Sequence, residues 1–300
     1  MREGYIMISE KGLWQRLRTR LLFTGPTLFA FLTVMIAPFL YGIYLTFTDW
    51  DGISVNSTFV GFENYLGVFK DAKFWGSFVL TLKYVGVTVL LVNAVAFLLA
   101  YALTSGMKSQ NFFRAGFFIP NLVGGIVLGF IWQFLFSNVF VYMGQKAGIP
   151  LFSTSWLADP DKAFWALTVV TVWQYAGYMM VIYVAGLMNV PKDILEAAGI
   201  DGANGWRKMR TMVLPLMVPS FIVCIFLSLR NGFMVYDLNL TLTKGGPFKS
   251  TEMVSMHVYE QAFRARDYGL GQAEAFVLFL LVATVTILQV YFSKKAEVEA

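Results

Sequence analysis

Of the 300 residues, 57% are hydrophobic, 17% aromatic and only 14% charged, with a formal net charge of +5. A soluble globular chain carries about 45–50% apolar and about 25% charged residues, and one compact core of this size cannot bury the excess. A soluble enzyme, a disordered tail and a nucleic-acid arm are therefore excluded, leaving an all-α polytopic membrane protein. The single Cys224 permits neither an internal disulfide nor a cysteine-based metal site.

Six apolar stretches are long enough to cross about 30 Å of hydrocarbon, which takes roughly 20 helical residues. In chain order they are Leu21–Phe47, Ser77–Ser105, Gly116–Ser137, Phe164–Met188, Pro215–Tyr236 and Ala273–Phe292. The first follows Arg16, Arg18 and Arg20; it is too long for a signal-peptide core and has no small-residue cleavage site, so it reads as an uncleaved span. Pro26 and Pro38 predict a kink in it. Lys83, near the start of the second span, is expected to snorkel to the interface.

An even number of spans places both termini on one side. If that side is cytoplasmic, the inner segments collect Arg16, Arg18, Arg20, Lys108, Arg114, Arg207, Lys208, Arg210, Lys294 and Lys295, as the positive-inside rule requires. The net positive charge thus reflects topology and needs no nucleic-acid partner.

Carboxylates are expected to lie outside the span interiors. That weakens a self-powered carrier, because such carriers place ionisable groups at membrane depth. No phosphate loop is present. Lys244-Gly-Gly-Pro-Phe-Lys-Ser-Thr251 lacks the Gly-Lys-Ser/Thr ending and carries Pro247. His257, the one histidine, lies in an outer loop without a nucleophile signature and reads as a surface group.

The inner loop Asn189–Pro219 is the most informative segment. Pro191 suits a first helical turn, and Asp193 and Glu196 complement the helix dipole. Gly199 and Gly202 are expected to break the helix, with Asp201 or Asn204 capping the next helical turn. Trp206, Met209 and Val213 then make an apolar face opposite Arg207, Lys208 and Arg210. Two readings fit these residues: an amphipathic connector at the interface, or a small-sided helix that enters a cleft on a cytoplasmic partner.

Glu196-Ala-Ala-x-x-Asp201-Gly-Ala203, succeeded by Leu214-Pro215 and Pro219, closely resembles the coupling-loop signature of ABC importer permeases. The chain is most similar to the carbohydrate-uptake group typified by maltose and glycerol-3-phosphate permeases. Val190-Pro191 stands at the family distance before the Glu-Ala-Ala run, and Leu242-Thr-Lys-Gly-Gly-Pro247 comes after the fifth span as in the maltose-type member. Tyr259, Ala262-Phe263 and Tyr268-Gly269 continue the match. Met209 departs from it, standing where relatives commonly have Phe; Met can fill the same apolar pocket.

The resemblance implies a type I importer transmembrane fold with six transmembrane helices. It divides the chain into a cytoplasmic tail (1–20), a first transmembrane helix (21–47), a five-helix transmembrane domain (77–292) with the coupling loop at 189–214, and a second tail (293–300). It implies that Glu196, Ala197, Ala198, Asp201, Gly202 and Ala203 dock into a separate cytoplasmic ATPase dimer. That ATPase would bind ATP and Mg, this chain itself holding no cofactor. The other implied partners are a second homologous permease, an extracytoplasmic solute-binding protein, a carbohydrate substrate and membrane lipid, in a bacterial or archaeal cytoplasmic membrane.

Sugars present an apolar ring face and a polar rim, so aromatic faces, amides and hydroxyls hold them. Gln174, Tyr175 and Tyr178 of the fourth span and Arg230, Asn231 and Gly232 of the fifth are the substrate-path candidates. By alignment with the maltose-type landmarks, all but Arg230 fall near sugar-contact positions. The alternative for them is interhelical packing with polar side chains as glue. Arg230 can meet an anionic substrate such as a sugar phosphate, or snorkel outward. Two other classes compete. A secondary transporter or channel is disfavoured by the Glu-Ala-Ala loop, and a membrane enzyme by the lack of any acidic metal-binding cluster recognised in the sequence.

Overall fold

The computed structural model describes residues 13–54 and 56–295. Among them the chain is helical, with a lone antiparallel bridge between Thr48 and Phe59. Helix α1 (Leu13–Phe31) runs through a wide π-helical turn at 32–36 into α2 (Ala37–Leu45). A short α3 (Glu63–Lys70) leads to the long α4 (Ala72–Thr104), then α5 (Gln110–Leu122), α6 (Gly125–Phe134) and α7 (Phe140–Ala147). Helix α8 (Pro160–Met188) precedes the short helices α9 (Lys192–Ile200), α10 (Gly205–Lys208) and α11 (Leu214–Leu216). Helix α12 (Val218–Phe233), α13 (Asp237–Leu242), α14 (Val254–Tyr259) and α15 (Tyr268–Lys294) complete the order.

Three of the long helices begin at an aspartate cap, which satisfies backbone N–H groups that have no partner within the helix. Asp71 accepts from Lys73 N at 2.7 Å, Asp159 from Asp161 N and Lys162 N at 3.0 Å, and Asp267 from Leu270 N at 3.1 Å. Pro160 occupies the first turn of α8, where its missing N–H costs nothing.

Five helical stretches among the described residues are long and apolar enough to cross a membrane, and six if a bent pair is one span. The first, Arg20–Leu45, continues helical through Pro26 and Pro38. The π-helical turn one turn before Pro38 widens the helix where the proline ring would otherwise strike a carbonyl. Lys83 is exposed, with its ammonium 5.0 Å from the centre of the Phe164 ring.

The third span lies elsewhere than predicted, over Gly125–Ala147. The apolar run from Gly116 is cut where Val123 and Gly124 turn extended, leaving α5 as a separate helix of 13 residues. At 1.5 Å per residue that helix is only about 20 Å long. It lies against α8 because Gly177 has no side chain: a Cβ there would overlap the Phe117 carbonyl. The fifth span is broken and starts earlier than predicted, with Gly205–Leu216 and Val218–Phe233 meeting at 67°. Pro215 and Pro219 flank that bend.

Two polar expectations fail. Glu274 sits in the second turn of α15, inside the sixth span, and is fully buried. His257, read as a surface group, is 5% exposed and lies beside it. Neither burial is visible in sequence, because it arises where α14 folds back between α4 and α15.

Candidate functional site

The loop between α8 and α12 is built by helix-end chemistry. Asn189 caps α8, Val190 is buried, and extended Pro191 stands immediately before α9 rather than within its first turn. Gly199 remains helical, so it does not break the helix. The end comes at Asp201, where Ala203 N donates to Ala198 O at 2.9 Å and Gly202 N donates to Gly199 O at 3.2 Å. That pair of bonds is the Schellman closure, which needs a left-handed residue at the position of Gly202, whose φ is +77°. Asn204 then caps α10 by accepting from Arg207 N at 2.8 Å.

One side of this loop is anchored. Ala198 is buried, and Leu195 and Met209 pack with Val190, Val213 and Met217 against Met179, Met180 and Tyr183 of α8. The other side is open: Glu196, Ala197, Asp201 and Gly202 are exposed, Ala203 is half-buried, and Ile200 is 88% exposed. The predicted apolar face of α10 and the turn after it divides, with Val213 and Met209 inward and Trp206 72% exposed.

The substrate-path candidates separate into two groups. Gln174, Tyr175 and Asn231 line one cavity of about 190 Å³ together with Gly125, Thr171 and Asp237. Gln174 is buried there and donates to Val123 O at 3.3 Å, across the break between α5 and α6. Gly232 adjoins Tyr175 and Asn231 in a neighbouring crevice. A Cβ on it would lie 3.0 Å from Val85 Cγ2, so its lack of a side chain lets α12 approach α4. Tyr178 points elsewhere, its ring 6.3 Å from Phe118. Arg230 is exposed and absent from the cavity lining.

Thr171 and Asp237 were not expected. Thr171 lies one turn before Tyr175 on α8, a signal available from helical spacing. Asp237 falls just past the predicted end of the fifth span, where it reads as loop. A larger void of about 760 Å³ is lined by apolar side chains such as Phe112, Phe117, Trp165 and Trp173. It offers almost no hydrogen-bonding partner to a polar solute, whereas the smaller cavity presents amides, hydroxyls and a carboxylate.

A multi-pass helical bundle, an exposed loop helix at one end and a small polar cavity at a broken span describe a membrane permease. Residues 95–298 match the family described as binding-protein-dependent transport system inner membrane component. The chain is 40% identical to the probable starch degradation products transport system permease protein AmyD of Thermoanaerobacterium thermosulfurigenes, over 97% of both chains. It is 33% identical to the multiple sugar-binding transport system permease protein MsmF of Streptococcus mutans, over 87% of this chain and 90% of that one. A crystal structure of a bacterial ABC transporter involved in the import of the acidic polysaccharide alginate contains a chain of the same fold. It superposes with a TM-score of 0.80 at 18% identity, covering 95% of this chain and 99% of the other. The chain belongs to the binding-protein-dependent inner-membrane permease family, whose members are non-catalytic subunits of ABC importers.

Proposed function

We propose that this permease passes a neutral sugar or oligosaccharide, delivered by an extracytoplasmic binding protein, through a pathway shared with a second homologous permease. The observation that carries the substrate class is the cavity lining: the amides of Gln174 and Asn231, the hydroxyls of Thr171 and Tyr175 and the carboxylate of Asp237. That set suits a polyol rim and repels an anion. Arg230, the group that could draw in a sugar phosphate, is not among the lining residues, although its charge reaches Tyr175 in the wall. The relatives named for starch degradation products and for multiple sugars agree with a carbohydrate cargo.

In this reading both termini lie in the cytoplasm of a bacterial or archaeal cell. Helix α9 docks in a groove of an ATPase dimer that holds ATP and Mg, and Glu196, Ala197, Ala198, Asp201, Gly202 and Ala203 form the coupling loop. Ile200 supplies an unpartnered apolar contact for that groove. Closure of the ATPase dimer moves the loop, and the packing of Leu195 and Met209 on α8 transmits the movement to the bundle. The test is vesicle uptake by the four-subunit importer with its binding protein. Sugar should accumulate only with ATP and the ATPase present; uptake by this chain alone, driven by an ion gradient, would overturn the reading.

A further inference from the structure

We propose that Asp71, His257 and Glu274 form a binding site for a divalent transition-metal ion of the zinc type, at the end of the bundle opposite α9.

The strongest sign is a set of buried polar atoms that make no hydrogen bond and meet one another only as long ion-pair contacts. Glu274 is fully buried, and neither of its carboxylate oxygens has a hydrogen-bond partner; His257 Nε2 is likewise buried and without one. Such groups are rare in native interiors and call for an explanation. These atoms converge. His257 Nε2 is 3.4 Å from Glu274 Oε1 and 3.4 Å from Asp71 Oδ2, and one ligand atom from each of the three residues lies within 4.8 Å of the others. Ligands held about 2.0–2.1 Å from a tetrahedral zinc ion stand about 3.3–3.4 Å apart, so both histidine separations already fit.

The surroundings have the arrangement a metal-bound histidine needs. Glu252 Oε1 lies 3.1 Å from His257 Nδ1, placed to accept its proton, so that in the neutral imidazole the Nε2 lone pair faces the two carboxylates. Glu252 is itself held by Lys249 at 2.8 Å. Asp71 uses Oδ1 to cap α4 and keeps Oδ2 for the site. With a neutral imidazole, the three carboxylates and the Lys249 ammonium leave two negative charges, which a dication balances. One nitrogen and two oxygen donors suit zinc or manganese and are a poor match for the all-oxygen shells of calcium and magnesium.

A proton on Nε2 is the competing occupant. Burial opposes it, while the neighbouring Glu274 and Glu252 favour it, and the balance raises the His257 pKa to about 9. A bound metal would fasten α14 to the start of α4 and to α15, holding the outer loop on which Phe248 stands 95% exposed.

The experiment is elemental analysis of the full chain, purified in detergent at pH 8 through a tag without histidines. Wild-type protein should carry about one zinc per chain. After stripping with chelator it should rebind zinc and unfold at a higher temperature than the stripped form. His257→Gln and Glu274→Gln should each lose the metal. X-ray absorption of the zinc-loaded wild type should show nitrogen and oxygen neighbours including an imidazole, with no sulfur from Cys224; this readout holds even if the variants misfold. Zinc below about a fifth of an equivalent in rebound wild type, a sulfur-containing shell, or full zinc retained in both variants would overturn the site.

Discussion

Tyr183 on α8 donates its hydroxyl to the Asn93 side-chain carbonyl on α4 at 2.6 Å, and the Asn93 amide donates to Ser228 on α12 at 3.1 Å. Three spans are thereby tied at one point among apolar side chains. Interhelical hydrogen bonds in membranes average about 0.6 kcal/mol and reach about 1.7 kcal/mol. Tyr183→Phe should therefore destabilise the bundle by about that range. Asn93→Leu should cost more, since it leaves the buried Tyr183 hydroxyl with only the weakly bonding Cys224 thiol beside it. Dodecyl-sulfate unfolding of the two variants would rank them; equal stability of Asn93→Leu and wild type would show that the link contributes nothing.

Gly177 and Gly116 lie on the facing helices α8 and α5 but should respond differently. A Cβ on Gly177 would overlap the Phe117 backbone carbonyl, whereas one on Gly116 meets nothing within 4 Å. Backbone cannot yield as a side chain does, so Gly177→Val should separate the helices and cost at least the roughly 1–3 kcal/mol of an overpacked core. Gly116→Ala should be neutral or slightly stabilising, Ala being the better helix former. Monodisperse protein recovered after detergent extraction is the measurement.

Gly202 closes α9 in the left-handed conformation, which costs a branched residue roughly 1–2 kcal/mol. Gly202→Val should loosen the end of α9 and uncouple transport while membrane insertion stays intact. Glu196→Lys and Ile200→Asp change only exposed groups. They should reduce ATPase retention during purification without altering the unfolding temperature. Normal sugar uptake by all three variants would remove the docking assignment.

Gln174→Ala and Asn231→Ala each remove an amide from the polar cavity. Losing one hydrogen bond of about 1 kcal/mol should raise the KM for sugar uptake roughly fivefold, with the ATPase still coupled. Arg230→Gln should leave neutral-sugar uptake unchanged, because that side chain is outside the lining. A collapse of uptake in Arg230→Gln would point to an anionic cargo.

Much of the conformation of the 189–214 loop was legible because its determinants are local. Helix ends are set by the few residues around them, so Asp193, Gly202 and Asn204 could be assigned roles from their order alone. The third span was misplaced for the opposite reason. Hydropathy integrates over about 20 residues and reads through a two-residue break such as Val123-Gly124 when the flanks are equally apolar. Of the six substrate-path candidates, Gln174, Tyr175, Asn231 and Gly232 gather around one cavity and its crevice, whereas Tyr178 and Arg230 do not. Helical spacing gives the face of one helix, but which neighbour it meets depends on crossing angles no single segment encodes.

The composition, 57% hydrophobic with 14% charged residues, determined by itself that the chain resides in a membrane. The Glu196–Ala203 run carried the resemblance on which the proposed ATPase contact rests, since both composition and motif are properties of contiguous residues. Only the tertiary structure decided that Glu274 and His257, apart in sequence and on different helices, are buried side by side. It likewise decided that Gly177 is a packing surface for Phe117. Burial and proximity between distant segments arise from how helices pack, and a side chain's environment is fixed by neighbours that its own segment does not specify.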